Sequence, residues 1–272
     1  SDVYKRQIQD VLDLIEYANG DARRTVWGRK RAEAGHPKPF NLKYIGIGNE
    51  DMITEVFEER FAMIYKAVRE KHPEITVVGT VGPFYEGTDY AEGWRLATEL
   101  GVPMVDEHYY VDPGWMIHNQ DYYDRYDRTK SKVYLGEYAA HLPGRPNNIE
   151  TALAEALYLT SVERNADVVR LATYAPLFAH VDAWQWNPDL IWFDNLRMMR
   201  TPNYYVQQMY GMNAGTDVLN LQMDGKPVTG QDSLYASAVL DAPTGEVILK
   251  LVNAGSRSET VSYTHLRAHE TS

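Results

Sequence analysis

The chain contains no cysteine among its 272 residues. This absence excludes a disulfide-stabilised scaffold and every metal or redox site that is built on thiolates. No uninterrupted apolar run reaches the roughly 20 residues that a membrane-spanning helix needs. Positive charge is scarce as well, since 27 Lys and Arg residues stand against 38 Asp and Glu residues and leave a net charge of −11. The composition therefore argues against a membrane or a nucleic acid as the partner.

Short apolar runs recur along the first two thirds of the sequence. They begin roughly 30 residues apart, which is the length of one strand, one helix and the return to a parallel strand. Five such units favour a (β/α)8 barrel or a doubly wound sheet. An incomplete glycine motif at 46–49 and the lack of a phosphate-binding loop make a nucleotide-binding sheet the weaker choice. The predicted strands are 44–49, 76–81, 104–110, 132–138 and 168–175.

The segments between these runs have the pattern of helices. Within residues 53–71, apolar side chains from Phe57 to Val68 recur at three- and four-residue steps, which places them on one face. Asn147 is followed three residues later by Glu150, the spacing of a capping box that begins a helix. Residues 112–128 are less regular and contain a short helix at most. The predicted helices are 8–17, 53–71, 90–100 and 149–165.

Beyond residue 211 the pattern changes to that of a β-rich domain. Residues 233–240 and 246–253 flank a turn that contains Pro and Gly, which predicts a hairpin. The two ends of the chain resemble sequencing-adaptor peptides in translated contigs, and no initiator Met or signal peptide is present, so localisation stays undetermined. We expect artefactual tails at 1–7 and 261–272, part of a catalytic domain at 8–211, and the start of a second domain at 212–260.

Acidic residues lie at the ends of several predicted strands. Glu50 follows the first strand, Glu137 lies near the end of the fourth, and Asp106, Glu107 and His108 lie near the end of the third. In a parallel barrel, catalytic groups lie at the carboxyl ends of the strands. Two carboxylates on that rim can perform glycoside hydrolysis, in which one protonates the departing oxygen and the other attacks or activates water. A purely structural contact with a helix N-terminus or an arginine is less favoured for the pair than for either residue alone.

Two tyrosines at the end of the third predicted strand are candidates to hold one of these carboxylates. Strand alternation places Asp106, His108 and Tyr110 on one face, with Glu107 and Tyr109 on the other. Either Tyr110 or Tyr109 would donate to a carboxylate, depending on which face points inward. Ordinary packing is the equally frequent use of either tyrosine.

A metal centre and a nucleophilic serine are weaker interpretations. His108 with Asp106 or Glu107 would offer metal ligands, but no second histidine stands at a ligand spacing. No Gly-x-Ser-x-Gly elbow is present, and a cysteine nucleophile is excluded. We therefore predict neither a metal nor a cofactor, and we assign His141 and His180 to loops or to the rim.

An aromatic, amide-rich stretch follows the fifth predicted strand, in a chain with 20 Tyr and 6 Trp. Its two parts are Trp184-Gln-Trp-Asn-Pro188 and Ile191-Trp-Phe-Asp194. Indole faces stack on sugar rings, and amides form directional hydrogen bonds with hydroxyls. The alternative is that these tryptophans cover the end of the barrel as part of its core.

Taken in order, these motifs resemble glycoside hydrolase family 51, the α-L-arabinofuranosidases. The resemblance implies a retaining enzyme with a (β/α)8 TIM barrel and a C-terminal β-sandwich. This chain would then hold a partial barrel, from about strand 4 to strand 8, and the start of the sandwich. The motifs that carry the resemblance are Lys43-Tyr-Ile-Gly-Ile-Gly-Asn-Glu50, Asp106-Glu-His-Tyr-Tyr110, Val133-Tyr-Leu-Gly-Glu-Tyr-Ala139, Tyr174-Ala-Pro-Leu177 and Trp186-Asn-Pro-Asp-Leu190.

The resemblance also implies roles for individual residues. Glu50 would be the general acid/base and Glu137 the nucleophile. Tyr110 would orient Glu137, with Tyr109 as the alternative. The remaining sugar contacts would come from Asn49 at the 2-hydroxyl, His108 and Gln185.

The hypothesis that follows is release of terminal α-L-arabinofuranosyl residues from arabinose-containing plant polysaccharides or oligosaccharides by double displacement. The expected partner is an arabinofuranosyl-containing saccharide, and a homo-oligomer of the full-length parent is left open. One alternative is another retaining barrel glycosidase, such as a xylosidase or an endoglucanase. The other is a fragment without catalysis, because an open barrel piece exposes strand edges and apolar surface.

Overall fold

A computed structural model describes residues 2–262 of the chain. The tail expected at 261–272 therefore lies outside the described residues except for its first two positions. Within the described residues the chain forms two compact units. The first runs to His108 and includes Thr129–Tyr134, and the second contains Tyr109–Arg128 and the chain from Leu135 onward.

Helices and strands alternate along most of the chain. The α-helices are α1 (Asp2–Asn19), α2 (Val26–Glu33), α3 (Glu55–Lys71), α4 (Thr88–Leu100), α5 (Pro113–His118), α6 (Ile149–Arg164) and α7 (Pro202–Met212). The strands are β1 (Tyr44–Ile47), β2 (Thr76–Thr80), β3 (Met104–Val111), β4 (Lys132–Ala140), β5 (Val169–Tyr174), β6 (Phe178–His180), β7 (Ile191–Phe193), β8 (Met198–Arg200), β9 (Asp217–Leu219), β10 (Gln222–Met223), β11 (Lys226–Pro227), β12 (Leu234–Asp241) and β13 (Glu246–Asn253). No helix in the described part of the chain combines the length and the apolar character needed to cross a membrane.

The first unit is built on parallel strands. β1 pairs in parallel with β2, and β2 pairs in parallel with β3. The Lys132 N–H at the start of β4 donates to the Pro103 carbonyl just before β3 at 2.9 Å. These ladders align the carboxyl ends of β1 and β2, which is where the candidate residues begin.

Helix α3 presents the apolar face that its sequence predicts. Phe61, Tyr65 and Val68 are buried on that face. The Tyr65 hydroxyl is also satisfied, because it donates to the Gly101 carbonyl at 2.8 Å. The helix begins after Thr54, whose hydroxyl accepts the Phe57 N–H. This local cap fixes where the β1–α3 turn ends.

In the second unit, β4 lies beside the end of β3, and β5 lies beside β4. The His141 N–H donates to the Val111 carbonyl at 2.7 Å, and the Ala175 N–H donates to the Tyr138 carbonyl at 3.4 Å. The sheet has the order β1-β2-β3-β4-β5. All five predicted strands are present with bounds within two residues of the expected ones. The fold is therefore α/β with a parallel sheet.

Helix α6 is buried along most of its length, from Thr151 to Val162, and α5 and α7 pack against it. Its capping residue is Asn148, whose side chain accepts the Thr151 N–H while the Thr151 hydroxyl accepts the Asn148 N–H. The expected capping pair of Asn147 and Glu150 is therefore wrong by one residue. Both asparagines have a polar residue three positions later, so the sequence pattern alone does not separate them.

The last two strands in the described part of the chain are antiparallel, as predicted. β12 and β13 pair from Leu234 with Asn253 to Asp241 with Glu246, and β9 joins the other side of β12. Three further strands, β6, β7 and β8, form a small sheet that the sequence did not predict. Strands of three residues are too short to show a period-2 pattern.

Candidate active site

The turn after β1 carries Asn49 and Glu50 in a strained, tightly packed backbone. Gly48 has φ +89°, and a Cβ at this position would lie 2.6 Å from the Thr80 Cγ2 atom. Glu50 itself has φ +54°, a region that non-glycine residues rarely occupy. The turn is held because the Glu50 N–H donates to the Thr80 hydroxyl at 3.1 Å and the Asn49 N–H donates to the Asp51 carboxylate at 2.7 Å. This packing fixes the backbone from which the Glu50 carboxyl extends.

A buried histidine links Glu50 to a second acid. The Nδ1 atom of His108 lies 3.0 Å from Oε1 of Glu50, and its Nε2 atom lies 3.1 Å from Oδ2 of Asp106. The His108 side chain is only 3% exposed. An imidazole with a carboxyl group at each ring nitrogen can exchange a proton with either one. We refer to Glu50, His108 and Asp106 as the acid cluster.

The other face of β3 is part of the core. Glu107 is buried there and accepts the Trp94 Nε1–H at 3.1 Å. Tyr109 is also fully buried, and its hydroxyl lies 2.8 Å from that of Tyr123 and 2.7 Å from that of Tyr158. These contacts give both residues structural roles.

Glu137 on β4 has a direct hydrogen-bond donor. The Tyr110 hydroxyl donates to Oε2 of Glu137 at 2.6 Å. Of the two tyrosines that the sequence left open, the one in contact with Glu137 is therefore Tyr110. Short hydrogen bonds to an ionised oxygen are the stronger kind, so this contact holds the carboxylate in a defined orientation.

Aromatic rings surround Tyr110. The His141 ring stacks on Tyr110 with a centroid distance of 4.9 Å, and the Trp186 ring lies 5.5 Å from Tyr110. The Arg145 guanidinium covers Trp186 at 4.3 Å from the ring centroid. Burial and the positive charge of Arg145 lower the pKa of His141 to about 4, so this ring is neutral around pH 7. We refer to Tyr110, Glu137, His141, Arg145 and Trp186 as the Glu137 cluster.

The Glu137 cluster contains residues that the sequence reasoning missed. His141, which we assigned to a loop or the rim, stands four positions after Glu137 directly beyond β4. Strand alternation could have found it, because residues 137, 139 and 141 share a face. Arg145 gave no such signal, because its contact with Trp186 depends on loop packing.

Two predicted sugar-binding residues are exposed. Asn49 and Gln185 are exposed, and Gln185 lies between two exposed tryptophans, Trp184 and Trp186. Within the described residues, the side chains of Asn49 and Gln185 form no hydrogen bond. Their proposed contacts to sugar hydroxyls stay predictions.

Two protein-family models match the chain. Residues 1–128 match "Alpha-L-arabinofuranosidase 1 domain", and residues 119–271 match "Alpha-L-arabinofuranosidase C-terminal domain". Together the two matches extend over almost the whole chain.

Individual relatives agree with these matches. The chain is 48% identical over 215 residues to an extracellular exo-α-L-arabinofuranosidase of Streptomyces chartreusis, covering 79% of this chain and 26% of the relative. It is 32% identical over 263 residues to α-L-arabinofuranosidase 1 of Arabidopsis thaliana, covering 93% of this chain and 36% of the relative. The chain thus spans about a quarter to a little over a third of the length of these relatives.

A solved structure is similar as well. The arabinose-bound MgGH51 α-L-arabinofuranosidase superimposes with a TM-score of 0.80 at 28% identity, covering 93% of this chain and 40% of that one. At 93% coverage, the match includes residues of both compact units.

Proposed function

Because this chain belongs to glycoside hydrolase family 51, the α-L-arabinofuranosidases, we propose that its protein releases terminal α-L-arabinofuranosyl residues from arabinose-containing saccharides. The proposed reaction is a retaining double displacement that uses two carboxyl groups. The observation that carries the proposal is the short hydrogen bond from Tyr110 to Glu137. It supports a carboxylate that is oriented as a nucleophile must be.

In the first step, Glu137 attacks the anomeric carbon of the arabinofuranose. The bond from that carbon to the glycosidic oxygen breaks, and Glu50 transfers its proton to the departing oxygen. The product is a glycosyl ester on Glu137. The contact between Glu50 and the buried His108 supports this role, because a general acid needs a fixed position and a route for its proton.

In the second step, a water molecule attacks the anomeric carbon of the ester. Glu50 now accepts the proton from that water, and the Glu137 carboxylate leaves. Two inversions restore the original anomeric configuration. Retention requires the two carboxyl groups to stand about 5 to 5.5 Å apart in the working enzyme.

The sugar would be recognised by polar and aromatic side chains around these acids. We propose that Asn49 binds the 2-hydroxyl, and that His108 and Gln185 complete the sugar-binding subsite. Both ring nitrogens of His108 already contact carboxyl oxygens of Glu50 and Asp106, so a sugar hydroxyl would have to share or replace one of these contacts. The exposed face of Trp186 would stack on the saccharide.

At the level of architecture, we propose that β1 to β5 correspond to strands 4 to 8 of a (β/α)8 barrel. The antiparallel strands beyond residue 211 would be the start of a C-terminal β-sandwich. The carboxyl-end placement of Glu50 and Glu137 supports this proposal, because barrel enzymes carry their catalytic groups there.

Substrate choice is tested with 4-nitrophenyl glycosides. We expect turnover of the α-L-arabinofuranoside and at most trace turnover of the β-D-xyloside and the β-D-glucoside. Two proteins are assayed: the 272 residues alone, and a chimera in which they replace the matching segment of the Streptomyces chartreusis relative. Preference for another glycoside, or no turnover in both settings, would contradict the proposal.

The two carboxyl roles are tested by substitution and azide. Glu137→Ala should lower kcat by about 10³-fold or more, because the covalent step is lost. Azide should restore turnover of both alanine variants, since it attacks from the space left by the missing carboxyl. The glycosyl azide should keep the anomeric configuration of the substrate in Glu50→Ala and have the inverted configuration in Glu137→Ala. The anomer is read by NMR. The opposite pairing of products would exchange the two roles.

A further inference from the structure

Strand β4 is held from the side opposite to the Glu137 carboxylate. Tyr138 follows Glu137 and therefore points to the other face of the strand. Its hydroxyl donates to Oε1 of Gln207 on α7 at 2.7 Å. Two residues later, the Ala140 N–H donates to Oε1 of Glu155 on α6 at 3.0 Å. The end of β4 is thus fastened to two helices by polar contacts.

Glu155 is an unusual core residue. It is 0% exposed, and its second oxygen accepts the Asn203 Nδ2–H at 2.8 Å. No Lys or Arg in the described part of the chain forms an ion pair with it. A carboxyl group buried without a cation lowers stability relative to an apolar side chain of similar volume. Packing alone therefore does not account for glutamate at this position.

The contacts of Glu155 extend to the loop that carries Trp186. Asn203 accepts the Asn147 Nδ2–H at 3.1 Å. Asn147 in turn accepts the backbone N–H of Asp189 at 3.0 Å, three residues after Trp186. A continuous line of hydrogen bonds thus runs from the end of β4 to the segment that contacts Tyr110.

We propose that Glu155 is a positioning residue, which fixes the end of β4 so that the Glu137 carboxylate is aimed at the anomeric carbon and which holds the Trp186 segment through Asn203 and Asn147. This inference rests on the nucleophilic role proposed for Glu137. A displacement of about 1 Å in an attacking group costs on the order of 10²-fold in rate. The gain in rate from a fixed nucleophile therefore explains why a buried carboxyl is present here although it lowers the stability of the fold.

The test is an exchange of donor and acceptor within the Glu155–Asn203 pair. Glu155→Gln keeps an oxygen that accepts the Ala140 N–H. Its NH2 group, however, faces the NH2 group of Asn203, so two donors meet and that hydrogen bond is lost. Adding Asn203→Asp restores an acceptor opposite the new donor. We expect Glu155→Gln to lower kcat by at least about tenfold with KM within about twofold, and the double variant to regain most of the loss.

Glu163→Gln is the matched control. Glu163 lies two turns further along α6 and contacts Ser237 and Lys250 in the antiparallel sheet. We expect this variant to lower the melting temperature but to leave kcat unchanged. If Glu155→Gln fails to fold, Glu155→Asp takes its place, since it retracts the carboxyl by about one C–C bond of 1.5 Å. It should lower kcat to a similar extent.

A second readout does not depend on activity. Hydrogen exchange of the amides at 137–140 should accelerate in Glu155→Gln, or in Glu155→Asp if that variant is used, relative to the wild type and the Glu163→Gln control. Unchanged exchange, or an unchanged kcat, would overturn the inference. The inference would also be overturned if the double variant regained its melting temperature but kept a low kcat. If the wild type itself turns over no arabinofuranoside, the proposed function fails, and the exchange data alone decide whether Glu155 anchors the strand.

Discussion

Tyr109 and Tyr110 are neighbours in the sequence with opposite surroundings. Tyr109 is part of a fully buried hydroxyl cluster with Tyr123 and Tyr158. Tyr110 faces the other way and donates to Glu137. Strand alternation predicted that the two would separate, but not which of them would meet the carboxylate. That choice depends on which face of β3 is covered by helices, which is a property of packing.

The pair provides a prediction about catalysis. Tyr110→Phe removes the donor to Glu137 and should lower kcat by about 10- to 100-fold, since hydrogen bonds to charged groups are worth about 1.5 to 3 kcal/mol. Steady-state kinetics on the aryl arabinofuranoside measure the effect. Tyr109→Phe is the matched control. It should lower the denaturation midpoint and leave kcat within about twofold. Equal kcat values for the two variants would remove Tyr110 from the mechanism.

Asn147 and Asn148 are adjacent before helix α6 and fit the same capping pattern, but they have different contacts in the structure. Asn148 caps the helix, whereas Asn147 donates to the Tyr174 hydroxyl at 3.2 Å and to Asn203 at 3.1 Å. Helix formation required one capping residue, and either asparagine satisfied the pattern. The contacts of Asn147 involve residues far away in sequence, so no local rule could reveal them.

This difference predicts an order of stabilities. Asn148→Ala should cost about 1 kcal/mol of unfolding free energy, the usual value for a lost N-cap. Asn147→Ala should cost more, about 2 to 3 kcal/mol, because it leaves buried groups of Asn203 and Asp189 without their partner. Urea denaturation compares the two variants. The reverse order would mean that the capping assignment is wrong.

The buried Glu155 also affects the stability of the molecule as a function of pH. Burial raises its pKa from 4.5 to about 8, and hydrogen bonds from Ala140 and Asn203 offset only part of that effect. A raised carboxyl pKa means that the folded state binds the proton more tightly than the unfolded chain. Stability is therefore highest below the unfolded pKa and declines as pH rises through the folded pKa.

We predict that the free energy of unfolding of the wild type falls relative to that of Glu155→Gln from about pH 4.5 to about pH 8, where the folded wild type holds a proton that its unfolded chain has lost. The pKa difference corresponds to at most about 5 kcal/mol over the full range from 4.5 to about 8. His141 acts in the opposite direction between about pH 4 and 6.5, because it binds a proton there in the unfolded chain and not in the folded protein, but this contribution is the same in the wild type and in Glu155→Gln and cancels in their difference. Glu163→Gln should keep the fall. An identical pH profile for the wild type and Glu155→Gln would contradict the prediction.

The sequence alone was sufficient for the periodic elements. The five strands, the helices between them and the final hairpin follow from apolar spacing, since local side-chain patterns specify which surface of each element is buried. The same reasoning placed Glu50 and Glu137 at strand ends. It failed for β6, β7 and β8, whose three residues each are too few to carry a pattern.

The partners of the carboxyl groups required the folded protein. His108 reaches Glu50 across 58 positions of sequence, and Tyr110 reaches Glu137 across 27. Such contacts depend on strand order and register, which local spacing does not encode. Glu155 is the clearest case, because on α6 it is one acid among others in the sequence. Only the packing of α7 and the end of β4 against that helix buries it and makes its carboxyl an anchor.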